Sequence, residues 1–249
     1  MPRPPEPVAR LLRTRRASAD RRVRLSGIGL GLVLASLMLA LLWWWRPLFL
    51  IPGAGELVMG GGDPYLRALM RTISAGESNV GRSYHVIHGG GFVDDLDHHP
   101  NRCETIRGGP NRGRCSTAAG RYQLLYGTWL EIAARYHPDR DDGQADPQEL
   151  DFSPRAQDIV VHGWLSDRQV WRVNLADQLR QGRLDEVLRR LSGTWTSLGY
   201  GIESHGMTQR LPRIYQQVLE QELRRSNRWP PPAPEPGKDK GRAALATRP

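Results

Sequence analysis

The chain is short of cysteine: Cys103 and Cys115 are the only two in 249 residues. They form no C-x-x-C pair, and no histidine flanks them at zinc-ligand spacing, which excludes the common cysteine zinc sites. The H-E-x-x-H signature of helical zinc peptidases is also missing, and no internal repeat is visible. Charge of one sign is missing where it would matter. The overall balance is +9, but residues 1–24 hold eight arginines against Glu6 and Asp20, and residues 227–249 carry an excess of three positive charges. The stretch between them nets to zero. Such a domain has no overall bias towards a phosphate backbone, so nucleic acid is not expected as a partner.

What is present is one long apolar run. Leu25 to Trp45 carries no charge over 21 residues, about 30 Å as a helix and enough to cross a bilayer. Trp43, Trp44 and Trp45 followed by Arg46 fit an interfacial aromatic belt. Arginines 10, 13, 15, 16, 21, 22 and 24 cluster before the run, and no small-residue cleavage site follows it. The positive-inside rule then predicts a single-pass inner-membrane protein, with residues 1–24 cytoplasmic and everything after the span periplasmic. Gly27, Gly31 and Ala35 form a small-residue ridge able to pair two such helices as a homodimer. In an oxidising compartment the two cysteines are expected to bond to each other rather than remain free thiols.

Residues 46–63, with five glycines and a proline between Pro52 and Asp63, read as a flexible tether. The folded domain is expected over 64–226, and the proline-rich basic stretch 227–249 as a tail without a core. Within the domain, Asp63 and Pro64 open a helix whose apolar face is Leu66, Leu69, Met70 and Ile73. Gly76 suits its end. Ser83 to Ile87 and Phe92-Val93 read as a small hairpin turning on Gly89 to Gly91, and Asp94 to Arg114 as a long surface loop. Leu124, Leu125, Trp129, Ile132, Ala133 and Tyr136 share a helical face. Ser153-Pro154 caps a further helix, another runs from about Arg183 to Leu191, and a last one carries Leu211, Ile214, Tyr215 and Val218. Trp129, Trp164 and Trp171 are expected in the core. The architecture is mainly α, an α+β domain with one small β-element, preceded by the single transmembrane helix.

The chemistry is concentrated at Ala75-Gly76-Glu77-Ser78. Glu77 falls at the end of the first helix, where the negative end of the macrodipole disfavours a charged carboxylate and so favours a general acid. This stretch resembles the catalytic motif of lysozyme-like lytic transglycosylases. Further motifs follow in the order found in the phage lambda endolysin-like family. They are Tyr84 to Gly90, Asp97-His98-His99-Pro100, Ala119-Gly120-Arg121-Tyr122-Gln123-Leu124-Leu125, Asp151 to Pro154 with Gln157-Asp158, and Trp195 through Gly201. Together they cover about residues 66–220.

The resemblance implies a lysozyme-like fold with Glu77 as the sole catalytic acid/base and peptidoglycan glycan strands as substrate, with no cofactor. Glu77 would protonate the oxygen linking N-acetylmuramic acid to N-acetylglucosamine. It would then take a proton from the muramic C6 hydroxyl as that oxygen closes on C1, leaving a 1,6-anhydro sugar. The intramolecular attack loses little entropy. Ser78, Tyr84, Tyr122, Gln123, Trp195 and Tyr200 are the expected sugar contacts, with Gly120 admitting a close approach of backbone to sugar. A hydrolytic muramidase would need a second carboxylate, for which Asp94, Asp95 and Asp97 are the local candidates. The rivals are a metal peptidase built on His85, His88, His98 and His99, and a wall-binding scaffold without catalysis. Tethering to the membrane favours local wall remodelling beside envelope machinery over lysis, with release of the anchor as the alternative.

Overall fold

A computed structural model of the chain describes residues 31, 33–39, 51–141, 145–200 and 206–227. Most of the apolar run, the basic N-terminal segment and the tail from 228 lie outside the described residues. Residues 31 and 33–39 are helical, with Val33, Leu34, Leu37, Met38 and Leu39 all more than half exposed. Among the described residues no helix is long and apolar enough to cross a membrane. The chain divides into two units, residues 1–50 and 51–249; the second carries the motifs.

Its centre is helix α1, Pro64–Glu77. The Asp63 side chain accepts hydrogen bonds from the main-chain N–H of Tyr65 and Leu66, and Pro64 occupies the first turn, the expected start. Leu66, Leu69, Met70 and Ile73 are fully or nearly fully buried. Around α1 lie α2 (Tyr126–Tyr136), α3 (Pro154–Ser166), α4 (Arg168–Trp171), α5 (Leu175–Arg180), α6 (Leu184–Leu191) and α7 (Leu211–Ser226). Its most extensive packing is against α7. The Ser153 hydroxyl caps α3 through Ala156 N–H, as the sequence predicts. Trp129 is completely buried, edge-on to Phe152, and Trp171 is buried at a 44° tilt to Trp164, which is only half-buried and so not the core residue expected.

Four expectations need correction. Leu124 and Leu125 precede α2 instead of sharing its face, and Leu125 is 49% exposed. The β-element is not at 83–93. Ser83–His85 and His88–Gly90 are short 3₁₀ turns joined to Phe92 only by an isolated bridge from Val86. The sheet is instead an antiparallel pair, β1 (Glu104–Thr105) and β2 (Cys115–Ser116), inside the stretch read as a loop. The Cys103–Cys115 disulfide closes it. That staple constrains a dozen-residue loop, worth about 3 kcal/mol. Two-residue strands are too short to show alternation, which is why the pattern was not visible.

The last correction is the tether. Residues 51–62 lie against the domain, with Ile51, Gly53, Ala54, Leu57 and Met59 buried. Three arginines from the domain bind this strap. Arg67 and Arg71 also share Glu222 of α7 in a buried ion triad, Arg67 Nε to Oε2 at 2.6 Å and Arg71 Nη1 to Oε1 at 2.8 Å. Composition suggests a flexible linker, but the partners that fix it stand far along the chain.

Candidate active site

A groove of about 730 Å³ opens at the C-terminal end of α1, within the range of ligand-binding clefts, about 300–1,000 Å³. Five segments wall it: Gly76–Val80, Val86–Gly90, the disulfide-closed hairpin from Ile106 to Ser116, Gln123 with Leu125, and Thr194–Ser197. Glu77 is the last residue of α1 and half-buried. Among the described residues lining the groove it is the only carboxylate.

Ser197 fixes that carboxylate, its hydroxyl donating to Glu77 Oε1 at 2.6 Å. The approach explains Gly76, which lies within α1 rather than beyond its end. A Cβ there would stand 2.7 Å from Ser197 Oγ. Ser197 belongs to the Trp195–Gly201 motif, but a serine in a 3₁₀ turn carries no signal of its own. Nothing in the spacing separated it from its neighbours.

The expected sugar contacts divide. Gln123 lines the groove in a left-handed conformation, φ 45°. Its amide donates to Val86 O and Gly120 O, leaving its own carbonyl as acceptor for a ligand. Ser78 and Trp195 border the groove but are committed inward. The Ser78 hydroxyl, 3% exposed, donates to Arg121 O at 2.6 Å. Trp195 is 2% exposed and its indole N–H donates to Tyr122 O. Tyr122 and Tyr84 are not groove residues. Tyr122 is completely buried, its hydroxyl donating to Asp158 Oδ1 at 2.6 Å, and the Tyr84 hydroxyl donates to Asp158 Oδ2. Burial first, and the Asp158 charge as well, push both phenols above their ordinary pKa, so both remain donors. Tyr200 stands on the surface, bonded to Asp185 and beneath Arg189, away from the groove lining.

Gly120 is required for a different reason than expected. At φ 73° it faces the interior, where a Cβ would fall 2.3 Å from Gln157 Oε1. The close approach is between chain segments, not between backbone and sugar. Gln157 then accepts from Arg121 N–H and donates to Tyr84 O and Phe152 O. The Gly120–Gln123 turn is held from beneath, and Ser78 joins it to the end of α1.

The other candidates lie elsewhere. Asp94 is exposed and paired with Arg82, which holds its carboxyl below the usual range. Asp95 accepts from Asp97 N–H within the loop. None of the three lines the groove. His99 is buried against Phe152, accepts from Asn101 N–H at Nδ1 and meets Leu124 O at Nε2. Burial lowers its pKa, so it serves as a neutral core group. His85 bonds Val93 O. Only His88 of the four histidines lines the groove. His137, Asp139 and Asp151 place three possible ligand atoms within 4.8 Å of one another. Both ring nitrogens of His137 are occupied, by Asp151 O and Asp139 N–H, so this group serves the fold.

Among the described residues the groove thus holds one carboxylate, at the end of the central helix and hydrogen-bonded to Ser197. Residues 67–221 match the Endolysin family model, and the chain belongs to that family. Over 125 residues, 49% of this chain and 66% of the relative, it is 31% identical to the endolysin of Escherichia phage lambda. Over 119 residues, 47% and 62%, it is 31% identical to that of Escherichia phage P2. The chain thus spans just under two thirds of the length of these relatives. A solved structure titled bacteriophage lambda lysozyme complexed with a chitohexasaccharide aligns over 64% of this chain and 97% of its own, at 27% identity and a TM-score of 0.47.

Proposed function

We propose that this protein is a peptidoglycan lytic transglycosylase in which Glu77 alone acts as acid and then base. Family membership supports the cell wall as substrate. The observation that carries the reaction type is that Glu77 is the one carboxylate among the described residues lining the groove. Most retaining hydrolases use a partner carboxyl about 5–5.5 Å away, and most inverting ones place it farther off to hold a water. The described groove lining offers no such partner. Glu77 gives its proton to the glycosidic oxygen and, once ionised, receives the proton of the muramic C6 hydroxyl as the C6 oxygen bonds to C1. Protons balance, and no water is consumed. The Ser197 hydroxyl holds the carboxylate through both steps, and Gln123 offers an acceptor to the sugar amides.

Digestion of sacculi with the full chain, followed by mass measurement of the muropeptides, tests this. Products 18 Da lighter than reducing-end muropeptides, the mass of one water, are expected. Reducing ends would establish a hydrolase, and intact strands a scaffold.

The apolar run Leu25–Trp45 supports an inner-membrane anchor with the domain in the periplasm. On this reading cutting is confined to wall within reach of the membrane. Full chain made in a bacterial host is expected to stay with the membrane through an alkaline carbonate wash. It should also be digested by protease added outside spheroplasts. Release by the wash, or protection from the protease, would overturn the anchor.

A further inference from the structure

The strap, residues 51–62, precedes the stretch that matches the family, which begins at residue 67. Even so, side chains of the domain hold it through its main chain. The carbonyls of Gly53, Ala54, Gly55, Glu56, Met59 and Gly61 all accept hydrogen bonds from Arg67, Arg71 or Arg121. These arginines are only 2–4% exposed. Asp158 receives the N–H groups of Val58 and Met59. The N–H groups of Gly53, Val58 and Met59 and the carbonyls of Gly53, Ala54, Gly55, Glu56 and Met59 therefore all bond to the domain.

The head of the strap reaches the catalytic turn. The 3₁₀ turn Pro52–Ala54 packs beneath the end of α1, and Gly53 N–H donates to Asn79 Oδ1 at 3.1 Å. A Cβ on Gly53 would lie 2.7 Å from Ser74 O, 2.8 Å from Ser78 O and 2.9 Å from Asn79 Cα. All three are main-chain atoms, and they bracket Glu77 on both sides. No left-handed glycine stops α1. Its C-cap is Ser78 at φ −140° and ψ 59°, outside the usual stop.

We propose that the strap positions Glu77, with Gly53 as the residue through which it acts. Gly53 touches no substrate. It seats the main chain at Ser74, Ser78 and Asn79, and so sets where the carboxylate points relative to Ser197 and the groove. The inference rests on the reading of Glu77 as the acid/base.

The test uses the full chain and a soluble, uncrosslinked glycan strand, with rates expressed per folded molecule. Gly53→Ala is expected to lower kcat about 10- to 100-fold with KM within about threefold, the mark of a displaced reacting group. Asn79→Ala removes the acceptor of the Gly53 N–H and is expected to lower kcat in the same sense. The double variant should be no worse than Gly53→Ala, since the added Cβ already displaces the Asn79 main chain that the bond holds. Gly60→Ala, where an added Cβ meets nothing within 4 Å, serves as the control and should match the parent. A strap that only stabilises the fold would lower the melting temperature and leave kcat unchanged. A wild-type kcat in Gly53→Ala overturns the proposal, as does an additive double variant. Should Gly53→Ala not fold, a wild-type kcat in Asn79→Ala overturns it equally. Full activity in Glu77→Gln would instead remove the acid/base reading, whatever the strap does.

Discussion

Glu77→Gln is expected to reduce release of soluble wall fragments about 10³-fold while leaving the domain folded. General acid–base catalysis by a placed side chain is worth about 10²–10⁴ in rate. The loss should reach the middle of that span or beyond, because no second carboxylate among the described groove residues can take over the proton. Glutamine has the size and hydrogen-bonding reach of glutamate. The Ser197 hydroxyl, which donates to Oε1 at 2.6 Å, keeps an acceptor in the amide oxygen. The groove and its affinity for glycan should therefore survive, giving a fall in kcat with little change in KM. Measuring muropeptide release and binding of unlabelled sacculi side by side checks both halves. Turnover within tenfold of the parent would show that protonation is not supplied by this residue.

Helix α1 and its terminal carboxylate were legible because their signals are local. A proline after a capping aspartate, an apolar residue every three or four positions and a terminal glutamate all fall within Asp63–Glu77. The ordered motifs were equally informative about which segments meet around the groove. They were not informative about what each residue does there. Tyr122 and Tyr84 sit in motifs that reach the groove, yet both point at Asp158, which is buried in α3. Sequence cannot distinguish a tyrosine that packs on sugar from one that satisfies a buried acid, since the partner stands tens of residues away. Gly120 and Gly76 illustrate the same gap. Each was singled out, Gly120 for a sugar contact it does not make, and the atom each makes room for, Gln157 Oε1 or Ser197 Oγ, comes from a distant segment. The strap was misread for the converse reason. Buried arginines reach carbonyls along its length, of glycines and other residues alike, so a composition typical of a linker here serves a fixed structure.

The largest expected effect on stability comes from that arrangement. Glu222→Ala removes the one carboxylate shared by Arg67 and Arg71, whose side chains are about 95% buried. Both guanidinium groups would keep their bonds to strap carbonyls and, for Arg71, to Gln221. Dipoles do not replace a counter-charge, however, and two like charges would then share one interior. Removing one partner of a buried pair costs about 3–5 kcal/mol. In a domain of this size that lowers the melting temperature by roughly 6–20 °C, at about 2–4 °C per kcal/mol. The exposed pair Glu220–Arg224, one turn apart on the same helix, provides the contrast. Such surface pairs contribute about 0.3–0.5 kcal/mol, so Glu220→Ala should leave the transition almost unmoved. Urea unfolding of the two variants against the parent measures the difference directly. If both stay within about 1 kcal/mol of the parent, inside the scatter of ordinary surface substitutions and mild core ones, then Glu222 does not hold α7 and the strap to α1.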